Sequence, residues 1–282
     1  MRFLTARLSA KRRSPLAGLV VLLLGLLLTG GVYAAFSPAS ADTPSATNQD
    51  LVAKGRALFL VGCASCHGQH GEGIVTSKTT QYGPPLIGVG AAAVDFQVGT
   101  GRMPLARPGM QAPQKSVRYT DQEIRELAAY VASLGPGPAI PAKSKYSTAG
   151  ATNDEVVEGG QLFLTNCTAC HNFAASGGAL PEGKYAPPLA GVTNKHVYEA
   201  LITGPQQMPV FSDGVLKPQQ KRDVIAYLKS IENQPSYGGS ALGSLGPTSE
   251  GLFAWLVGIG LCVGFAVWIA SHSVRSKKGA KS

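Results

Sequence analysis

Two long runs of apolar residues lie near the ends of the chain. Residues 15–36 and 251–271 contain no charged side chain. At a rise of about 1.5 Å per residue, about 20 such residues cross a hydrocarbon core of roughly 30 Å. Both runs are therefore predicted to be helices that are long enough to span a membrane.

Shorter periodic stretches lie between these runs. "DLVAKGRALFLVG" (50–62) and "DEVVEGGQLFLTN" (154–166) are each typical of an amphipathic helix that leads into a cysteine pair. Thr120 and Glu123 have the spacing of a capping box before Ile124, and Pro218 suits the first turn of a further helix. Few stretches alternate as strands do, so the pattern predicts a mainly helical region.

This region contains an internal repeat. "GRALFLVGCASCH" (55–67) matches "GGQLFLTNCTACH" (159–171), and "YGPPLIGV" (82–89) matches "YAPPLAGV" (185–192). The stretch between the repeats, 135–153, is rich in Pro, Gly, Ala and Ser, which is typical of an exposed linker. Two small domains of mainly helical structure are therefore expected.

The predicted organisation follows from these patterns. In chain order, the segments are a basic tail (1–14), a transmembrane helix or signal peptide (15–36), a linker (37–49), domain 1 (50–134), a linker (135–153), domain 2 (154–232), a linker (233–250), a transmembrane helix (251–271) and a basic tail (272–282).

The net charge of +9 belongs to the two tails. Nine of the 25 basic residues flank the apolar runs, and the other 16 are balanced by the 16 acidic residues between them. This distribution argues against nucleic acid as a partner. Since basic residues favour the cytoplasmic side, both tails are predicted to be cytoplasmic and both domains to lie outside, if the N-terminal span is retained.

The first apolar run has a second interpretation. A basic start, an apolar stretch and "ASA" (39–41) also describe a cleaved signal peptide. The run exceeds the usual apolar length of about 7–15 residues in such peptides, which favours a retained anchor. Either interpretation exports the two domains.

Each repeat carries the motif C-x-x-C-H, formed by Cys63, Cys66 and His67 and again by Cys167, Cys170 and His171. A disulfide is possible in an exported protein, but redox C-x-x-C motifs belong near a βαβ pattern that is missing here. A zinc site would have to span two domains and would leave both histidines unexplained. Haem c accounts for all of these residues, because cysteines at i and i+3 can form thioethers and the next His can bind iron.

A methionine is the expected second axial ligand of each iron, because its thioether suits iron in cytochromes c. Met208 precedes a proline, lies 37 residues after His171 and is favoured in domain 2. Domain 1 offers Met103 and Met110; Met103 also precedes a proline and lies 36 residues after His67, so it is favoured. His70 and His196 could in principle form a bis-His site, but they are expected to face solvent.

Each repeat resembles a class I cytochrome c domain. The resemblance rests on a helix with Gly and Phe four residues apart, C-x-x-C-H, a Pro-containing loop, a Met-Pro and a final helix with Tyr. It implies that Gly55 and Phe59 contact Tyr130, and that Gly159 and Phe163 contact Tyr227. It also implies that the carbonyls of Pro84 and Pro187 accept a hydrogen bond from the iron-bound histidines. The second loop reads "APPL" where the first reads "GPPL".

The whole chain resembles the dihaem cytochrome c subunit of the actinobacterial cytochrome bcc complex, a quinol:cytochrome c reductase. The resemblance implies two covalently bound haems c and a membrane-embedded complex with a cytochrome b subunit and a Rieske iron–sulfur subunit. It further implies electron relay to an aa-type haem-copper oxidase, in which this chain performs no bond-making. A membrane-anchored carrier or haem subunit of another exported dehydrogenase or reductase is the alternative.

Overall fold

The computed structural model describes residues 15–36, 46–77, 80–232 and 247–278. The tail 1–14, residues 37–45 and 233–246 of the linkers, and residues 279–282 lie outside the described residues. The predictions about the basic tails and about a cleavage site at 39–41 therefore fall largely outside them. The described residues between 48 and 278 form one compact unit, which contains both repeats.

Helices cover both apolar runs. The first run forms α1 (Pro15–Phe36). The second lies in a continuous helical segment formed by α11 (Pro247–Phe253), a π-helical stretch (Ala254–Ile259) and α12 (Gly260–Lys278). Among the described residues, Ser249–Ser271 is long and apolar enough to cross a membrane, whereas the apolar stretch Gly18–Val32 of α1 is shorter than that length.

The first repeat begins with α2 (Ala46–Gly62) and the short helix α3 (Ala64–His67). The strands β1 (Ile74–Ser77) and β2 (Thr80–Gly83) then pair in antiparallel fashion. Two helices complete the domain, α4 (Gly90–Gly99) and α5 (Asp121–Ser133).

The second repeat has the same order of elements after a short linker helix, α6 (Lys143–Tyr146). It comprises α7 (Asn153–Asn166), α8 (Thr168–His171), the antiparallel pair β3 (Gly178–Ala179) and β4 (Tyr185–Ala186), α9 (Asn194–Thr203) and α10 (Pro218–Glu232). The mainly helical prediction is confirmed. The short ribbons and the helices α4 and α9 were not predicted, because none of them carries a long periodic pattern.

Local capping signals fix where several helices begin. Thr120 and Glu123 form the predicted capping box at the start of α5, and α10 begins at Pro218 as predicted. Thr152 and Glu155 form a second capping box at the start of α7. In each box the side chains satisfy backbone N–H groups that have no partner within the helix.

The first and last helices of each domain pack at a glycine and an aromatic pair. A Cβ atom on Gly55 would collide with the carbonyl group of Glu126, and one on Gly159 would collide with that of Asp223. The close approach brings Phe59 to a ring-centroid distance of 5.0 Å from Tyr130 and Phe163 to 5.5 Å from Tyr227. The aromatic contacts implied by the resemblance are confirmed.

The linker 135–153 is mainly exposed, as its composition predicts, and none of its residues is buried, but parts of it contact both domains. The backbone N–H of Ala92 donates to the carbonyl of Pro138 at 3.0 Å. Ile140 packs on the apolar core of domain 1 and Tyr146 on that of domain 2. The Asn194 side chain also donates to the Tyr146 carbonyl at 3.3 Å. The linker therefore joins the two cores.

Candidate haem-binding sites

The two C-x-x-C-H motifs adopt the same compact turn. The backbone N–H of His67 donates to the carbonyl of Cys63 at 3.0 Å, and that of His171 donates to Cys167 at 2.9 Å. In this helical geometry, side chains three residues apart lie next to each other. Each turn therefore presents its two sulfurs together and places the histidine immediately beyond them.

Each motif histidine is held by a proline carbonyl on the loop that follows the ribbon. His67 Nδ1 lies 2.8 Å from the carbonyl oxygen of Pro84, and His171 Nδ1 lies 3.0 Å from that of Pro187. Because a carbonyl oxygen only accepts, Nδ1 must carry the hydrogen, and Nε2 keeps its lone pair for a metal. The "APPL" loop of domain 2 thus makes the same contact as the "GPPL" loop.

A cavity of about 570 Å³ brings together the predicted site residues of domain 2. Cys167, Cys170, His171 and Met208 all line it. Its walls also include apolar side chains, among them Phe163, Leu201, Val224 and Leu228. Ligand pockets in proteins are mostly apolar and measure about 300–1,000 Å³. The size, the apolar walls and the donor set of two thiols, an imidazole and a thioether fit a covalently bound haem.

In domain 1 the structure separates the two candidate methionines. Met103 and Cys63 both pack against the apolar core around Phe59, and the backbone N–H of Met103 donates to the carbonyl of Gln97 on α4 at 2.9 Å. The side chain of Met110 is 64% exposed. This geometry favours Met103, whose role as an iron ligand stays a prediction together with that of Met208.

The first thiol of each motif does not have the properties of a reactive cysteine. Burial, reinforced by the second cysteine of each motif, raises the pKa of Cys63 and of Cys167 to about 11. Redox-active and nucleophilic cysteines instead have a lowered pKa. Burial also lowers the pKa of His171, although its bond to Pro187 opposes this shift. A neutral imidazole is the form that binds a metal.

Domain 1 supplies part of the wall around the domain 2 cavity. Phe96, Arg102, Gln111 and Ala112 line the cavity together with the motif residues. Two side-chain amides bridge the domains reciprocally: Gln111 bonds the backbone of Tyr185 at 2.6 and 3.0 Å, and Gln206 bonds that of Ala112 at 3.2 and 3.3 Å. No motif or periodicity indicated these residues.

A second group of residues missed from the sequence lies at the same interface. Asp95 on α4 forms an ion pair with Lys195 on α9 at 2.6 Å, and His196 lies beside them. The expectation that His196 faces solvent is wrong: its side chain is 16% exposed and its ring packs edge-on against Phe96. His70 is exposed, as expected.

Known families match both domains. The family described as "Cytochrome c" matches residues 52–135, and that described as "Cytochrome C oxidase, cbb3-type, subunit III" matches residues 154–228. A protein from Corynebacterium efficiens is 43% identical over 275 residues, covering 93% of this chain and 91% of the relative. One from Mycobacterium tuberculosis is 40% identical over 275 residues, covering 95% of each. Both are named cytochrome bc1 complex cytochrome c subunit.

This chain belongs to that family. It is a respiratory electron-transfer cytochrome c, and its cytochrome c domains carry covalently bound haem c. A more distant relative, the cbb3-type cytochrome c oxidase subunit FixP of Bradyrhizobium diazoefficiens, is 25% identical over 190 residues. That similarity covers 64% of this chain and 60% of the relative.

Proposed function

We propose that the chain is the dihaem electron-transfer subunit of a respiratory quinol:cytochrome c reductase. In this role it relays electrons from a Rieske iron–sulfur protein to an aa-type haem-copper oxidase. One observation carries the proposal: each of two packed domains contains a complete set of two cysteines, a proline-held histidine and a buried or half-buried methionine.

The residues of each set would have different roles in binding haem. Cys63 with Cys66, and Cys167 with Cys170, would hold two haems c, which supply reversible one-electron chemistry when bound. His67 and Met103 would bind the haem iron in domain 1, and His171 and Met208 would bind it in domain 2. The carbonyls of Pro84 and Pro187 orient the two histidines, since each fixes the Nδ1–H of its ring.

Two protein ligands on each iron favour electron transfer over catalysis, because no position is left for a substrate. The apolar walls of the domain 2 cavity would shield a bound haem from water, and the Met208 thioether would raise its potential. In domain 1, Met103 packs on the same apolar core as Cys63. The chain itself makes and breaks no bonds of a substrate.

The proposed assembly is membrane-embedded and includes a cytochrome b subunit and the Rieske subunit. The relatives from Corynebacterium and Mycobacterium are named subunits of a cytochrome bc1 complex, which supports this assignment. The apolar helix Ser249–Ser271 would anchor the chain. Basic residues beyond both apolar runs support cytoplasmic tails and domains on the outer side, with the N-terminal span retained.

Purification of the complex from its native membranes tests this proposal. An affinity-tagged chain, extracted in mild detergent, should bring down a cytochrome b, a Rieske protein and an aa-type oxidase. The purified assembly should show two haems c per chain and should couple quinol oxidation to oxygen consumption. Recovery of a different dehydrogenase or reductase, without cytochrome b and Rieske protein, would contradict the proposal.

The match of residues 154–228 to a cbb3-type oxidase subunit supports a second candidate, a membrane-anchored dihaem carrier of another respiratory enzyme. FixP matches a smaller part of the chain, at lower identity, than the bc1 subunits do. The same purification distinguishes the two candidates by the partners recovered.

A further inference from the structure

Ionisable side chains are buried at the interface between the two domains, apart from the residues assigned to haem. Asp95 comes from α4 of domain 1, whereas Lys195, His196 and Glu199 come from α9 of domain 2. Asp95 is 5% exposed and Glu199 is fully buried. One ligand atom from each of Asp95, His196 and Glu199 lies within 4.8 Å of the other two.

This cluster contains two buried carboxyl groups, and of the two only Asp95 forms an ion pair with Lys195. Lys195 Nζ approaches Asp95 Oδ2 at 2.6 Å, and His196 Nε2 lies 3.9 Å from the same oxygen. Neither carboxylate oxygen of Glu199 has a hydrogen-bond partner, and Asp95 Oδ2 lacks a well-directed one. Buried carboxylates without partners are unfavourable and rare in native proteins. A cation placed among these atoms would satisfy them.

We propose that Asp95, His196 and Glu199 form a binding site for a divalent transition-metal ion of the Zn²⁺ type, which links the two cytochrome domains. Two carboxylate oxygens and one imidazole nitrogen suit zinc, whereas Ca²⁺ and Mg²⁺ prefer oxygen ligands throughout. Three protein ligands leave room for a water molecule at the fourth position.

The distances are close to those that such an ion needs. Zinc bonds of about 2.0–2.1 Å place tetrahedral ligand atoms roughly 3.4 Å apart. The present separation of 3.9 Å between Asp95 Oδ2 and His196 Nε2 requires a contraction of about 0.5 Å, and the limit of 4.8 Å on all three separations requires at most about 1.4 Å.

Lys195 is the internal competitor for this site. Its ammonium group neutralises Asp95 in the absence of a metal, but it forms no ion pair with Glu199. The Lys195 side chain is 34% exposed, so it can turn outward into solvent when an ion enters. Removing its charge while keeping the other three side chains should therefore strengthen metal binding.

Because its ligands come from both domains, a bound ion would fix one domain against the other. His196 also lines the cavity of domain 2, so the proposed site adjoins the second haem site without sharing a ligand with it. This proposal does not depend on which Rieske protein or oxidase the chain serves.

Equilibrium dialysis of the haem-loaded, full-length protein tests the site. Protein stripped with a chelator is dialysed against buffered Zn²⁺, and the bound zinc is counted per chain by mass spectrometry. The wild type should bind one zinc ion per chain. The zinc affinity of Glu199→Gln should be at least about tenfold lower than that of the wild type, and the zinc affinity of Lys195→Met should be higher. His70→Gln, which changes an exposed histidine, is the matched control and should bind as the wild type does.

Equal zinc binding by the wild type and Glu199→Gln would overturn the proposal, since the ion would then lie elsewhere. Absence of zinc from both the wild type and Lys195→Met would also overturn it and would assign the cluster to an ion pair between the domains. Haem absorbance of each variant reports folding. Lys195→Met keeps all three proposed ligands, so its zinc binding tests the proposed site even if Glu199→Gln fails to fold.

Discussion

Replacing Gly159 by alanine should destabilise domain 2, because the new side chain would collide with the backbone of α10. The added Cβ would overlap the carbonyl group of Asp223 on α10 and would lie 2.9 Å from the backbone nitrogen of Val224. Backbone atoms cannot rotate away as a side chain can. Phe163 and Ile225 are fully buried nearby, so the two helices cannot separate without opening the core.

The expected magnitude follows from two opposing effects. Alanine in a helix interior gains up to about 1 kcal/mol over glycine. Overpacking typically costs about 1–3 kcal/mol, and contact with two backbone groups places this site at or above the upper end. We therefore expect a net loss of about 2 kcal/mol, or a fall of about 8–16 °C in the Tm of a domain of this size.

Gly160 provides a control in the same helix. A Cβ there would meet ring carbons of Tyr227 at 3.1 Å, and the ring can move by a few tenths of an ångström. Gly160→Ala gains the same helix propensity of up to about 1 kcal/mol, and the displacement of the ring opposes part of this gain, so its Tm should stay within about 4 °C of the wild type. Thermal unfolding of the haem-loaded proteins, followed by circular dichroism, measures both. If Gly159→Ala has the same Tm as Gly160→Ala, the close contact between α7 and α10 at Gly159 is wrong.

Three further predictions concern the haem residues and the domain interface. Met103→Leu should abolish the near-infrared sulfur–iron band of the first haem and lower its potential, whereas Met110→Leu should change neither; the opposite result would make Met110 the ligand. Cys167→Ala combined with Cys170→Ala should leave one covalent haem per chain, as counted from the pyridine haemochrome spectrum, and two haems would contradict the attachment sites. Burial, aided by Asp95, raises the pKa of Glu199 to about 9. Glu199 therefore keeps its proton in the folded protein, whereas it loses that proton near pH 4.3 in the unfolded chain. The free energy of unfolding of the metal-free protein should consequently fall as the pH rises towards about 9. Glu199→Gln, which stays neutral, should flatten this slope in denaturant titrations, and an unchanged slope would exclude Glu199 as its source.

The features that could be predicted are those encoded by residues near one another in the chain. Cysteines at i and i+3 meet on one helical turn in any context, so C-x-x-C-H indicates haem without knowledge of the fold. The capping box of Thr120 and Glu123 and the proline at 218 act within a single turn, and the structure contains both. The repeat then transfers each of these inferences from one domain to the other. The Phe–Tyr contacts join residues far apart in the chain, and the family resemblance, not a local rule, implied them.

The interface between the domains could not be predicted in this way. Asp95 and Glu199 lie 104 positions apart, and neither belongs to a motif. A charged residue on a helix normally faces water, and these two are buried only because α4 and α9 pack against each other. His196 was expected in solvent for the same reason.

The choice between Met103 and Met110 draws on both the sequence and the tertiary structure. Spacing and the following proline favoured Met103, but six residues of a loop separate the candidates and local rules do not fix the path of a loop. The folded chain ties Met103 to α4 and packs it on the core, whereas Met110 is left largely exposed. Burial is a property of the assembled domain, because it depends on which distant surfaces remove a side chain from water.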